Sequence, residues 1–116
     1  MPNQQNWPEE LDALAAAPHN HRLLFENDSV RVLDTSIAPG QITPLHTHRW
    51  PASLYILSWS DFVRRDEHGA LIVDSRDIGT FANGTSQWSP SLGPHTLENI
   101  GTSELRVIVV ELKKES

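Results

Sequence analysis

Three of the six histidines fall in two short stretches, Gly40-Gln-Ile-Thr-Pro-Leu-His46-Thr-His48 and Pro90-Ser-Leu-Gly93-Pro-His95-Thr-Leu-Glu-Asn99, that could build one metal site. Residues two apart in a β-strand share a face, so His46 and His48 project together while Thr47 turns away. The Pro90 to Pro94 turn delivers His95 into the next strand as a third candidate ligand. Leu97 and Asn99 then share its face, and Thr96 and Glu98 take the other. Three neutral imidazoles with open coordination positions form a donor set suited to Fe, Zn, Ni or Cu.

The elements that would position these residues are mainly strands. Acidic Glu9 and Glu10 beside Pro8, with Asn6 as a cap, open a helix that Leu11, Leu14 and an alanine run carry to Pro18. From Arg22 onward short runs rich in Val, Ile, Leu and Thr alternate with turn signals at Asn27-Asp28, Pro39-Gly40, Asp66 to Gly69, Asn83-Gly84 and Ile100-Gly101. Strands are expected at 22–26, 30–38, 42–48, 53–59, 61–65, 70–74, 85–88, 94–99 and 104–112. Pro44 within the third suits an edge or bulged position. That density of strands is what a small jelly roll requires. The chain reads as an all-β domain over 22–116 behind a helical lead-in over 1–21.

Composition narrows the partners. The 116 residues contain no cysteine, which removes disulfides, thiolate metal sites and a cysteine nucleophile. A formal charge of -6, without a basic cluster beyond Arg64-Arg65 and Lys113-Lys114, argues against nucleic acid and anionic membrane. The N-terminal stretch has acidic residues where a secretory signal carries Lys or Arg, so a cytoplasmic location is expected. The partner left is a small-molecule ligand or substrate.

The two histidine stretches resemble the two sequence motifs of the cupin superfamily. Gly40 to His48 is similar to the first half of motif 1, and Pro90 to Asn99 to the core of motif 2; order, separation and strand pattern agree over about residues 22 to 113. The resemblance implies a double-stranded β-helix barrel whose histidines His46, His48 and His95 hold a divalent metal, in a protein that is often a homodimer. It does not select a reaction.

One departure bears on the chemistry. Cupin motif 1 places a glutamate four or five residues after its second histidine, where this chain has Ala52 and Ser53. Glu98 points away by strand parity, and Gln87 is a remote substitute. A metal held by imidazoles alone keeps its full charge and favours an anionic oxygen ligand. Trp50, Tyr55, Gln87 and Trp88 are expected at the substrate pocket, with Arg49, Arg64 and Arg65 read as surface residues that could otherwise hold a carboxylate. His19 and His21 form a second His-x-His pair without a turn or third partner, read as an exposed linker, and His68 belongs to a hairpin tip.

Two classes of function stay open. One is a metal-dependent enzyme, dioxygenase-like because no Asp or Glu stands at a motif position to act as general base. The other is a non-catalytic small-molecule binding or sensing barrel, or a metal-free degenerate cupin.

Overall fold

The computed structural model describes residues 7–113. Nine strands form two antiparallel sheets: β1 His21–Glu26, β2 Val30–Ile37, β3 His46–His48, β4 Ala52–Ser58, β5 Phe62–Asp66, β6 Leu71–Asp74, β7 Ser86–Ser89, β8 Leu92–Asn99 and β9 Leu105–Leu112. Five strands run in the order β1-β2-β9-β4-β7, and four in the order β3-β8-β5-β6. Connections that return to non-adjacent strands give the jelly-roll topology expected from the strand density. Among the described residues no helix is long and apolar enough to cross a membrane.

Alternation decides what lies between the sheets. Leu33, Ile37, Leu105, Val109, Ala52 and Ile56 are buried, and each pair on one strand is separated by an even number of residues, as a one-sided apolar face requires. They form two clusters. Ala13, Leu33, Ala52 and Val109 lie together, and Ile37, Phe62 and Leu105 lie with Trp59, Val73, Leu97 and Val107 against them.

The structure revises three expectations. The single N-terminal helix is a 3-10 turn, Glu9–Leu11, followed by α1, Ala13–Ala16; Asn6 lies outside the described residues. The break is at Asp12, whose extended backbone pairs with Thr47 and whose carboxylate accepts from Leu14 N at 3.2 Å. A cap and a tertiary ion pair thus outweigh helix propensity there. The strand expected at 42–48 shrinks to His46–His48, with Ile42 making only an isolated bridge to Glu98. Pro44, which cannot donate to a ladder, lies just ahead of this edge strand. Finally, a short helix, α2, Ser75–Ile78, follows β6, capped by Asp74 accepting from Arg76 N.

Candidate metal centre

β3 and β8 are paired so that His46 faces His95 across the ladder, and His48, two residues on, shares the face of His46 by alternation, a register shift on β8 setting Leu92 opposite it. The ring centroids of His46 and His95 are 4.4 Å apart, those of His46 and His48 5.0 Å, and those of His48 and His95 5.6 Å. The three rings read from the sequence thus lie side by side in the wall of a cavity of about 90 Å³, although the histidines whose ligand atoms all come within 4.8 Å of one another are His21, His46 and His48, without His95.

A fourth imidazole joins it. His21 is the first residue of β1, paired with Thr35, and is only 4% exposed. Its ring lies 4.9 Å from that of His46 and 5.2 Å from that of His48. One ligand nitrogen from each of His21, His46 and His48 lies within 4.8 Å of the others. The expectation that His21 belongs to an exposed linker is thus overturned. The strand begins one residue earlier than its apolar pattern indicates, and alternation from Thr35 and Ile37 on β2 turns His21 inward. His19 and His68 are exposed, as expected.

Hydrogen bonds fix which nitrogen each imidazole presents. Nδ1 of His46 lies 2.8 Å from the Pro44 carbonyl, that of His95 2.7 Å from Gly93 O, and that of His21 3.0 Å from Ala17 O. A carbonyl only accepts, so each Nδ1 carries the proton and each Nε2 keeps its lone pair. Nδ1 of His48 donates to Glu111 Oε2 at 3.2 Å. Nε2 of His21 is buried without a partner. Burial lowers the affinity of all four rings for a second proton, and the neighbouring imidazoles add to the effect in three of them. His21 and His48 fall to about 3 and His95 to about 2, while His46 is lowered chiefly by burial. Four neutral imidazoles with free Nε2 atoms form a donor set that fits a divalent ion.

Behind His48 stands a buried ionic chain that the motifs do not reveal. Glu111, fully buried, accepts from Arg31 Nε at 2.5 Å, and Arg31 forks onto both oxygens of Asp12 at 2.9 Å each. Burial pushes the Glu111 carboxyl up, and Arg31 pulls it back down. Asp12, Arg31 and Glu111 together carry one net negative charge, delivered to Nδ1 of His48. Position 111 is also the cross-strand partner of Ala52. A carboxylate directly across the ladder from Ala52 therefore holds and orients the His48 ring. A sequence signal existed: Arg31 and Glu111 interrupt the inward phase of otherwise apolar strands with opposite charges.

The pocket residues separate. Trp50 lines the histidine cavity, its ring 5.0 Å from the Arg31 guanidinium and 5.2 Å from that of Arg49. Gln87 and Trp88 line a neighbouring cavity of about 350 Å³. Tyr55 is in neither: it is 44% exposed, on the outer phase of β4 opposite to inward Leu54 and Ile56. Arg65 is exposed, but Arg64, read as surface, is half-buried and lines both cavities. Asn99 is structural: its amide donates to Ile37 O and Ser103 O, and its oxygen accepts from Ser60 Oγ and Gly101 N.

Known structures give the fold its name. No family model and no curated protein matches the sequence. A cupin domain from Bordetella pertussis Tohama I aligns with a TM-score of 0.66 at 19% identity, over 81% of this chain and 92% of that one. An RmlC-like cupin with a double-stranded β-helix from Methanocaldococcus jannaschii aligns at 0.56 and 16% identity, over 79% and 77%. The polyketide cyclase RemF from Streptomyces resistomycificus aligns at 0.52 and 20% identity, over 81% of this chain and 64% of that one. The chain has the cupin fold, a small double-stranded β-helix barrel with three histidines within ligand distance of one another.

Proposed function

We propose that the chain holds one divalent metal ion through imidazoles of the His21, His46, His48 and His95 cluster and acts on a small anionic or oxygen-rich molecule bound beside it, as a dioxygenase or a related metal-dependent enzyme. The observation that carries this reading is the fixing of every Nδ1 by an oxygen acceptor, which leaves four lone pairs on Nε2 in one small cavity. Such an ion supplies Lewis acidity and open positions for an oxygen donor. The protein's own part is to keep the imidazoles neutral, to hold them through Glu111 and the three carbonyls, and to limit water with Trp50, Leu54 and Leu97.

A second reading, a binding barrel without turnover, is favoured by one feature: among the described residues no Asp, Glu or Tyr lines the histidine cavity, and burial holds its imidazoles well below their ordinary proton affinity, so no general base for neutral pH stands there. Thermal unfolding of metal-free protein with added Zn, Ni, Cu or anaerobic Fe(II) tests the metal. A rise in Tm that grows with ion concentration is expected for an ion bound to the native state alone, and no rise with any ion refutes the reading. Oxygen uptake by the iron form with a panel of small acids then separates enzyme from binding module.

A further inference from the structure

Arg64, in the middle of β5, stands where the histidine cavity meets the larger cavity walled by Trp59, Phe62 and Phe81. Leu54, Leu97 and Val107 line both spaces, with Ser89 the other polar residue shared beside Arg64, so the wall between them is mostly apolar. Among the described residues, Arg22, Arg31, Arg76 and Arg106 each pair with a carboxylate, whereas none lies within 4 Å of Arg64 and its buried Nε has no partner. A half-buried guanidinium without an acceptor is costly to maintain. Trp59 Nε1, in the wall of the larger cavity, is a second buried donor without an acceptor. Its ring meets those of Phe62 and Phe81 at centroid distances of 5.8 and 5.3 Å. Both unmet groups are donors. What completes them is an acceptor, and a planar carboxylate matches the guanidinium fork.

We propose that Arg64 anchors the carboxylate of a small acid whose aromatic or branched apolar body occupies the Trp59, Phe62 and Phe81 chamber, presenting its oxygen-bearing end toward the histidine cluster. This deepens the functional reading above by naming its substrate class. The chamber supplies affinity through apolar contact, with the guanidinium selecting the charge. Because the anchor is set on a strand and not on the histidines, acid binding persists in metal-free protein.

The test is calorimetric titration of benzoate, phenylacetate and isovalerate, each beside its neutral amide, into metal-free and metal-loaded wild type and the variants Arg64→Met, Arg64→Lys and Arg65→Met. At least one acid is expected to bind about tenfold or more tightly than its amide, with Arg64→Met weakening it about ten- to hundredfold, the range of a charge-assisted hydrogen bond. Arg64→Lys, which keeps charge without the fork, falls between, and Arg65→Met equals wild type. If Arg64→Met does not fold, Arg64→Lys against Arg65→Met decides. Stoichiometric metal with no acid preferred over its amide, or with acid binding untouched at Arg64, overturns the anchor and leaves the metal reading standing. Arg64-dependent acid binding in a protein that takes up no metal does the reverse.

Discussion

Replacing Glu111 by Gln would disable His48 without touching it. The carboxylate accepts on both sides, from Arg31 Nε at 2.5 Å and from His48 Nδ1 at 3.2 Å. Glutamine has one oxygen for these two donors. Turning its NH2 toward the Arg31 guanidinium sets donor against cation, so the oxygen stays with Arg31 and the NH2 faces His48. Nδ1 of His48 must then accept, the proton moves to Nε2, and the lone pair leaves the cavity. Loss of such an orienting partner typically weakens metal binding about 10- to 100-fold, or about 1.4 to 2.8 kcal/mol. The metal-free protein should lose about 1.5 to 3 kcal/mol for one charge-assisted bond. This is below the roughly 3 to 5 kcal/mol of a stranded buried charge, because Arg31 keeps both bonds to Asp12. Metal affinity by competition with a chromophoric chelator, alongside the Tm of the metal-free form, measures both effects. A Glu111→Gln variant binding metal within twofold of wild type would refute the argument that Glu111 sets the His48 tautomer.

Three further outcomes follow from the same geometry. The folded-state pKa values of His21 and His48 (about 3) and His95 (about 2) lie below the ordinary 6.5, so below pH 6.5 the unfolded chain binds more protons than the native one. Metal-free stability should therefore fall with pH, each ring contributing a slope approaching about 1.4 kcal/mol per unit. Glu111, raised by burial, opposes this by about one such slope near its own titration, and a urea-unfolding series from pH 7.5 to 4.5 that stays flat would count against four neutral buried rings. Gly101→Ala places a Cβ 2.1 Å from Ser60 Oγ and 3.0 Å from the backbone N of Asp61; a loss of about 1 to 3 kcal/mol is expected from chemical denaturation, and an unchanged midpoint would contradict the tight approach. Asn99→Ala removes an amide that makes four buried or part-buried hydrogen bonds and should cost about 3 kcal/mol or more, whereas His19→Gln, at an exposed position, should leave the same denaturation curve unchanged.

The parts of the molecule with a local signature were readable from the chain. Turn residues bracket the strands, and alternation places His46, His48 and His95 on one inner face, as β3 and β8 do. Three features lacked such a signature. His21 lies at the very start of β1, where one residue of strand boundary decides between solvent and cavity. Glu111 and Arg31 meet from strands 80 residues apart; nothing local announces a buried ion pair, although two opposite charges on the inward phase of apolar strands hinted at one. Tyr55 shows the converse error, an aromatic near the motifs that strand parity sends outward. The split of the first helix at Asp12 has the same origin, since Arg31 and Thr47, which hold Asp12 extended, are remote in sequence.

The central claim is one metal ion held by the inward imidazoles, and elemental analysis tests it most directly. Untagged protein purified without chelator or added metal would be compared with His21→Ala, His46→Ala, His48→Ala, His95→Ala and the surface control His19→Ala, each verified as folded. Near one equivalent of a single transition metal in wild type and in the His19 variant is expected, with a sharp loss in the cavity variants, His21 included. Wild type that takes up no metal even after incubation with each ion, or metal lost as readily from His19→Ala as from His46→Ala, would contradict the account.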